Sequence, residues 1–165
     1  MSEFKQAVTK HDFVAVADLA REIWTEHYYK IVGQAQIDYM LDKFQSAAAI
    51  EQQVGEGYLY YLAEDGEGLV GYFAVVTNTE ASTALLSKIY VRKSQRGRGI
   101  GSAMVAMAEQ ICREQGISVL WLTVNKNNSN SIAWYERAGF INKGAIVQDI
   151  GGGFVMDDYR MDKAV

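Results

Sequence analysis

The chain has 165 residues, 49% of them hydrophobic and 22% charged, with a formal net charge of −4. That length and mix suit one soluble domain with a proper core, and no apolar run approaches the span of a bilayer. The acidic balance argues against a nucleic-acid partner, Cys112 as the only cysteine excludes an internal disulfide, and the two histidines, far from any cysteine pair, leave no structural zinc motif.

In chain order, Met1 to Lys10 is polar and lacks a signal peptide's apolar centre, so the expected location is the cytoplasm. Phe4 to Thr9 reads as a short strand. Thr9 and Asp12, three apart, resemble a capping pattern before a helix from Asp12 to His27, whose apolar stripe is Phe13, Val16, Ala17, Ala20, Ile23 and Trp24. Tyr28 to Gly33 breaks that pattern. Two more helical stretches follow, Gln36–Phe44 and Ala47–Val54. Strands are expected over Tyr58–Glu64, Leu69–Thr77 and Thr83–Val91, the first two joined by an Asp65-Gly66 turn. A helix over 102–115 ends at Gly116. Within it, Cys112 reads as a small buried or half-buried thiol rather than a nucleophile. Ile117–Val124 is a strand, Asn128–Ala138 a helix, and Phe140–Asp149 and Phe154–Met161 a last pair of strands around Ile150-Gly151-Gly152-Gly153. The order predicts an α/β or α+β fold with helices packed on a sheet, and with no proline, repeat or low-complexity tract residues 1–165 read as one domain.

Arg96-Gly97-Arg98-Gly99-Ile100-Gly101 stands between the third strand and the helix that follows. Glycines admit a close backbone approach, a helix's first N–H groups point outward, and two arginines add positive charge, so the segment predicts an anion site. It lacks the lysine of a P-loop, and its glycines at 97, 99 and 101 do not match the dinucleotide fingerprint.

Arg96-x-x-Gly99-x-Gly101 resembles the pyrophosphate loop of the GCN5-related N-acetyltransferases. The resemblance extends over about residues 57 to 161. It includes Ser87-Lys88-Ile89-Tyr90-Val91 before the loop, Val119–Val124 after it, and Asn128 to Ala133 followed by Trp134-Tyr135-Glu136-Arg137-Ala138-Gly139-Phe140. It implies a mixed, mostly antiparallel sheet of about seven strands flanked by about four helices. It implies acetyl-coenzyme A as donor and direct attack by an amine in a ternary complex. Ile89, Tyr90 and Val91 would pair with the pantetheine arm, and Arg96, Gly97, Arg98, Gly99, Ile100, Gly101 and Ser102 would hold the pyrophosphate. Asn128 would bond the cofactor, and Tyr135 would face its sulfur as general acid, while Asn128 also suits a helix N-cap.

Many members carry a carboxylate on the strand equivalent to 83–91, and this chain has none there. The base is left open between water held by Ser87 and a distant acid such as Glu26, and Lys88 between a solvated residue and a cofactor contact. Trp24, Glu26, His27 and Tyr28 are the candidate acceptor-binding residues, with Tyr29, Tyr39, Phe44 and the 151–158 segment nearby in the family's plan. The layout is similar to bacterial polyamine acetyltransferases, which makes a small primary amine the leading acceptor. Acetylation of a protein amine and a coenzyme A sensor without turnover are the alternatives. No membrane partner is expected, and a homodimer stays open.

Overall fold

The computed structural model describes residues 3–66 and 68–165, so part of the Met1–Lys10 reading lies outside the described residues. Its strands are β1 (Glu3–Gln6), β2 (Leu59–Asp65), β3 (Gly68–Asn78), β4 (Thr83–Val91), β5 (Val119–Asn125), β6 (Ile141–Gly151) and β7 (Phe154–Ala164). Its α-helices are α1 (Lys10–Val32), α2 (Gln34–Phe44), α3 (Ala47–Gly55), α4 (Ile100–Glu114) and α5 (Ser129–Arg137). The strands are ordered β1-β2-β3-β4-β5-β7-β6. β4 and β5 run parallel, while β1–β2, β2–β3, β5–β7 and β6–β7 are antiparallel, which gives the mixed, mostly antiparallel sheet expected. Among the described residues five α-helices accompany it where about four were expected.

The chain forms two compact units, Met1–Val76 with Lys88–Met104, and Thr77–Ser87 with Val105–Val165. In the first, α1 begins with a full capping box. Thr9 Oγ1 accepts from the Asp12 N–H (3.1 Å), and the Asp12 carboxylate accepts from the Thr9 N–H (3.1 Å) and the Val8 N–H (3.0 Å). Lys5 Nζ adds a bond to Asp12 at 3.0 Å, and these donors hold the Asp12 pKa far below the usual carboxylate range. The helix continues to Val32, so Tyr28–Val32 does not break it as the sequence pattern suggested. The polar Tyr28–Lys30 run hides the continuation, and Gly33 ends it, with φ of 82° and its N–H on Tyr29 O at 3.1 Å.

Phe13, Val16, Ala20 and Ile23 of α1 join Ile37, Leu41, Ile50, Leu62 and Phe73 in the first unit's core. A buried polar chain crosses that core. Trp24 Nε1 donates to Tyr72 Oη (2.9 Å), the Tyr72 hydroxyl to Gln45 Oε1 (2.7 Å), and Gln45 Nε2 to Tyr60 Oη (2.9 Å). The Tyr60 hydroxyl donates in turn to Gln53 Oε1. Burial pushes the Tyr72 and Tyr60 phenols well above their ordinary range, so both stay neutral donors.

The second unit's core is Leu86, Val105, Ala108, Ile111, Cys112, Leu120, Leu122, Val124, Phe140 and Met161. Cys112 is fully buried and burial raises its thiol pKa, which agrees with a packing residue rather than a nucleophile. No helix among the described residues is long and apolar enough to cross a membrane.

Candidate active site

The turn from β4 to α4 is held by backbone bonds. The Arg92 N–H donates to Val70 O of β3 (2.7 Å) and the Gln95 N–H to Arg92 O (2.8 Å). Gly97 and Gly99 then take φ of +80° and +79°, the left-handed region that strains any residue with a Cβ. A Cβ at either would meet nothing within 4 Å, so conformation and not crowding calls for glycine. Ile100 is buried and anchors the start of α4. The Ala103 N–H bonds back to Gly99 O at 3.0 Å, so the N–H groups of Ile100, Gly101 and Ser102 precede the first intrahelical bond. Arg96 bonds Val91 O through Nε (3.3 Å), and Arg98 bonds Asp65 Oδ2 (3.1 Å) and Gln95. Outward N–H groups, a helix's positive end and two tethered guanidiniums fit a diphosphate.

Upstream of the turn, β3 comes unusually close to β4. A Cβ on Gly71 would stand 2.3 Å from the Tyr90 carbonyl oxygen and 3.2 Å from Val91 Cα. The backbone of Tyr90 and Val91 therefore keeps its course because residue 71 has no side chain. The sequence reading passed over Gly71, although a lone glycine inside a strand pattern is the signal for such an approach.

The same unit gathers three of the four candidate acceptor residues around Tyr90. Trp24 lies 5.5 Å from the Tyr90 ring and His27 6.4 Å, and the Tyr28 and Tyr90 hydroxyls share a hydrogen bond of 2.9 Å. Trp24 is 2% exposed with its N–H committed to Tyr72, so it supports the cluster from within the core. Burial, and then the charge of Arg96, lower the His27 pKa, which makes it a neutral imidazole at pH 7. Glu26 is exposed, two residues from Trp24 and hence on another side of α1, and it does not join the cluster. Lys88 is half-buried with Nζ 5.9 Å above the Trp24 ring, and burial lowers its pKa to about 8, so it is no freely solvated strand residue. Lys43, from α2, covers Tyr39 and Phe44 at 5.7 and 5.4 Å.

In the second unit, Asn128 is buried and caps α5, its side-chain oxygen accepting from the Ser131 N–H at 3.4 Å. Tyr135 lies near the end of α5, half-buried, with its ring edge-to-face on Phe140 at 5.8 Å and on Trp134 at 5.4 Å. The Phe140 N–H bonds Tyr135 O at 3.0 Å, so the Gly139 turn fixes that ring from behind.

Comparison with known proteins decides the family. A model of the acetyltransferase (GNAT) family matches residues 14–140. The chain belongs to that family. It is an N-acetyltransferase that works with acetyl-coenzyme A. An uncharacterized N-acetyltransferase from the pepI 3' region of Lactobacillus delbrueckii subsp. lactis is 26% identical over 140 residues, covering 80% of each chain. The PaiA N-acetyltransferase of Thermoplasma acidophilum, solved in complex with coenzyme A, superposes with a TM-score of 0.81 at 22% identity, covering 100% of this chain and 99% of that one. A chimera of the Vibrio cholerae spermidine N-acetyltransferase SpeG with hSSAT does so with a TM-score of 0.72 at 17% identity, covering 99% and 94%.

Proposed function

We propose that this enzyme acetylates a primary amine of a small molecule, a polyamine or a related alkylamine, by direct attack without a covalent enzyme intermediate. The observation that carries the donor side is the turn at 96–102, where two left-handed glycines open onto the first N–H groups of α4 between two arginines. Arg96 to Ser102 hold the pyrophosphate, the backbone of Ile89, Tyr90 and Val91 pairs with the pantetheine arm, and Asn128 contributes a further polar contact. When bound, acetyl-coenzyme A supplies an activated thioester. The chain's own part is to fix the two reactants in line, which removes most of the entropy of their encounter. Tyr135 donates its phenolic proton to the departing sulfur, a transfer between groups of comparable basicity. The spermidine enzyme among the structural neighbours supports the acceptor class only as a precedent on the same fold.

Incubation with acetyl-coenzyme A and a panel of polyamines, monoamines, amino acids and peptides, followed by free thiol, tests the reading. Thiol release with alkylamines is expected. Release only with peptides points instead to a protein acetyltransferase, and release with none to a sensor.

A further inference from the structure

Resting on the amine-acetylation reading, the second unit offers a carboxylate whose use nothing above accounts for. β7 pairs with β5 without a bulge, Leu122 opposite Met161, Thr123 opposite Arg160, Val124 opposite Tyr159 and Asn125 opposite Asp158. Partners across a ladder share a face. Leu122, Val124 and Met161 are buried on the face toward α4, where Lys163 Nζ holds Glu109 at 2.7 Å. Thr123, Asn125, Asp158 and Arg160 occupy the other face.

Asp158 is 3% exposed there and bonds the Thr123 hydroxyl. The cations around it are committed to other acids. Lys126 Nζ is 2.7 Å from Asp157, and Arg160 is 2.9 Å from Asp162 with its guanidinium 4.2 Å over Trp121. Across the other ladder Asp158 meets Ile146, with no charge. Among the described residues Asp158 therefore has no ion pair of its own. A buried carboxylate in that condition is costly unless a cation comes to it. Its place is also suggestive. Asp158 faces the last residue of β5, three residues before Asn128, and the turn between them is tied by Lys126 N–H to Asp157 O (3.1 Å) and Asn128 N–H to Asn125 O (2.9 Å).

We propose that Asp158 is the acceptor-side residue that receives the substrate's ammonium and takes its proton, filling the role left vacant by the missing carboxylate on β4. One N–H bond of the ammonium breaks, its electron pair stays on nitrogen, and an O–H bond forms on the Asp158 carboxyl, which then returns the proton to solvent. The nitrogen's second proton, released as the amide forms, replaces the one Tyr135 gives to sulfur. Burial pushes the Asp158 pKa up to about 6, so at pH 7 it is still ionised yet basic enough to accept. Thr123 and Lys126 favour its ionised form, and Asp157 opposes it.

The experiment compares wild type with Asp158→Asn and Asp158→Glu, using spermidine as probe. For Asp158→Asn, kcat/KM for spermidine is expected to fall about 100-fold or more at pH 7, with partial recovery in Asp158→Glu. The deficit is expected to narrow at alkaline pH, where the amine loses its proton in solution. Acetyl-coenzyme A affinity is expected to stay within about twofold, while calorimetric binding of spermidine to the enzyme without cofactor weakens. Undiminished turnover by the Asn variant, or a loss unchanged across pH, overturns the assignment. If the Asn variant does not fold, spermidine binding to wild type decides: affinity that drops as pH falls through about 6 supports the assignment, and pH-independent affinity overturns it. A wild type that releases no thiol with any amine refutes the amine reading itself, a result distinct from either outcome for Asp158.

Discussion

Two buried polar systems treat their hydrogen bonds in opposite ways. In the first unit, Trp24, Tyr72, Gln45, Tyr60 and Gln53 pass single donors to single acceptors along an uncharged chain. In the second, Asp158 keeps a charge in the interior with one hydroxyl beside it, while Lys126 and Arg160 pair elsewhere. A saturated neutral chain needs nothing more, and it fastens α1 to β3 through the Trp24–Tyr72 bond. An acid without its own cation is the arrangement of a site that waits for a ligand. The contrast separates buried polarity that builds the fold from buried polarity that performs work.

Substitutions sharpen this contrast by moving different observables. The largest effect is expected at Asp158, where the Asn change abolishes most turnover yet leaves stability at pH 7 equal or higher. The sign follows from the pKa. A carboxyl raised to about 6 in the fold, against an ordinary 3.8, opposes folding above pH 6, and that penalty fades as pH falls between those values. The stability gained by Asp158→Asn in urea melts should therefore be greatest above pH 6 and vanish below about pH 4. Tyr72→Phe is expected to do the reverse. It orphans the Trp24 N–H and Gln45 Oε1 and should cost about 2–4 kcal/mol in the same melts, with turnover below the transition little changed. A Tyr72→Phe protein as stable as wild type would break the comparison.

Smaller effects are expected on the donor side. Gly99→Ala imposes a strained φ costing about 1–2 kcal/mol and should raise the acetyl-coenzyme A Kd about tenfold. Asp12→Ala, which belongs to neither polar system, should cost about 1–2 kcal/mol through the lost capping box and leave kcat/KM for the amine unchanged. Wild-type stability should also fall in acid, because the pKa of Asp12 is depressed and its contribution is lost as pH drops below 3.8.

What could be read from the sequence divides along similar lines. The 96–102 turn was legible because glycine torsions and helix N-termini are local properties, and so were the Thr9–Asp12 cap and the sheet's strands. The extension of α1 through Tyr28–Val32 was not, since the Tyr28 hydroxyl finds Tyr90, 62 residues away. Gly71 was a missed signal rather than a missing one. The 151–158 segment was expected on the acceptor side, but Asp158 did not stand out within it: Asp157 and Asp158 are adjacent acids in one strand, and only Asp158 is buried. Which of two adjacent acids is buried depends on the β5–β7 register, a long-range property.

The most direct measurement is the titration of the Asp158 carboxyl carbon by NMR, with and without spermidine. The account predicts a midpoint near 6 in the enzyme alone and a clear fall when the ammonium binds. A midpoint in the ordinary carboxylate range that spermidine does not move would contradict it.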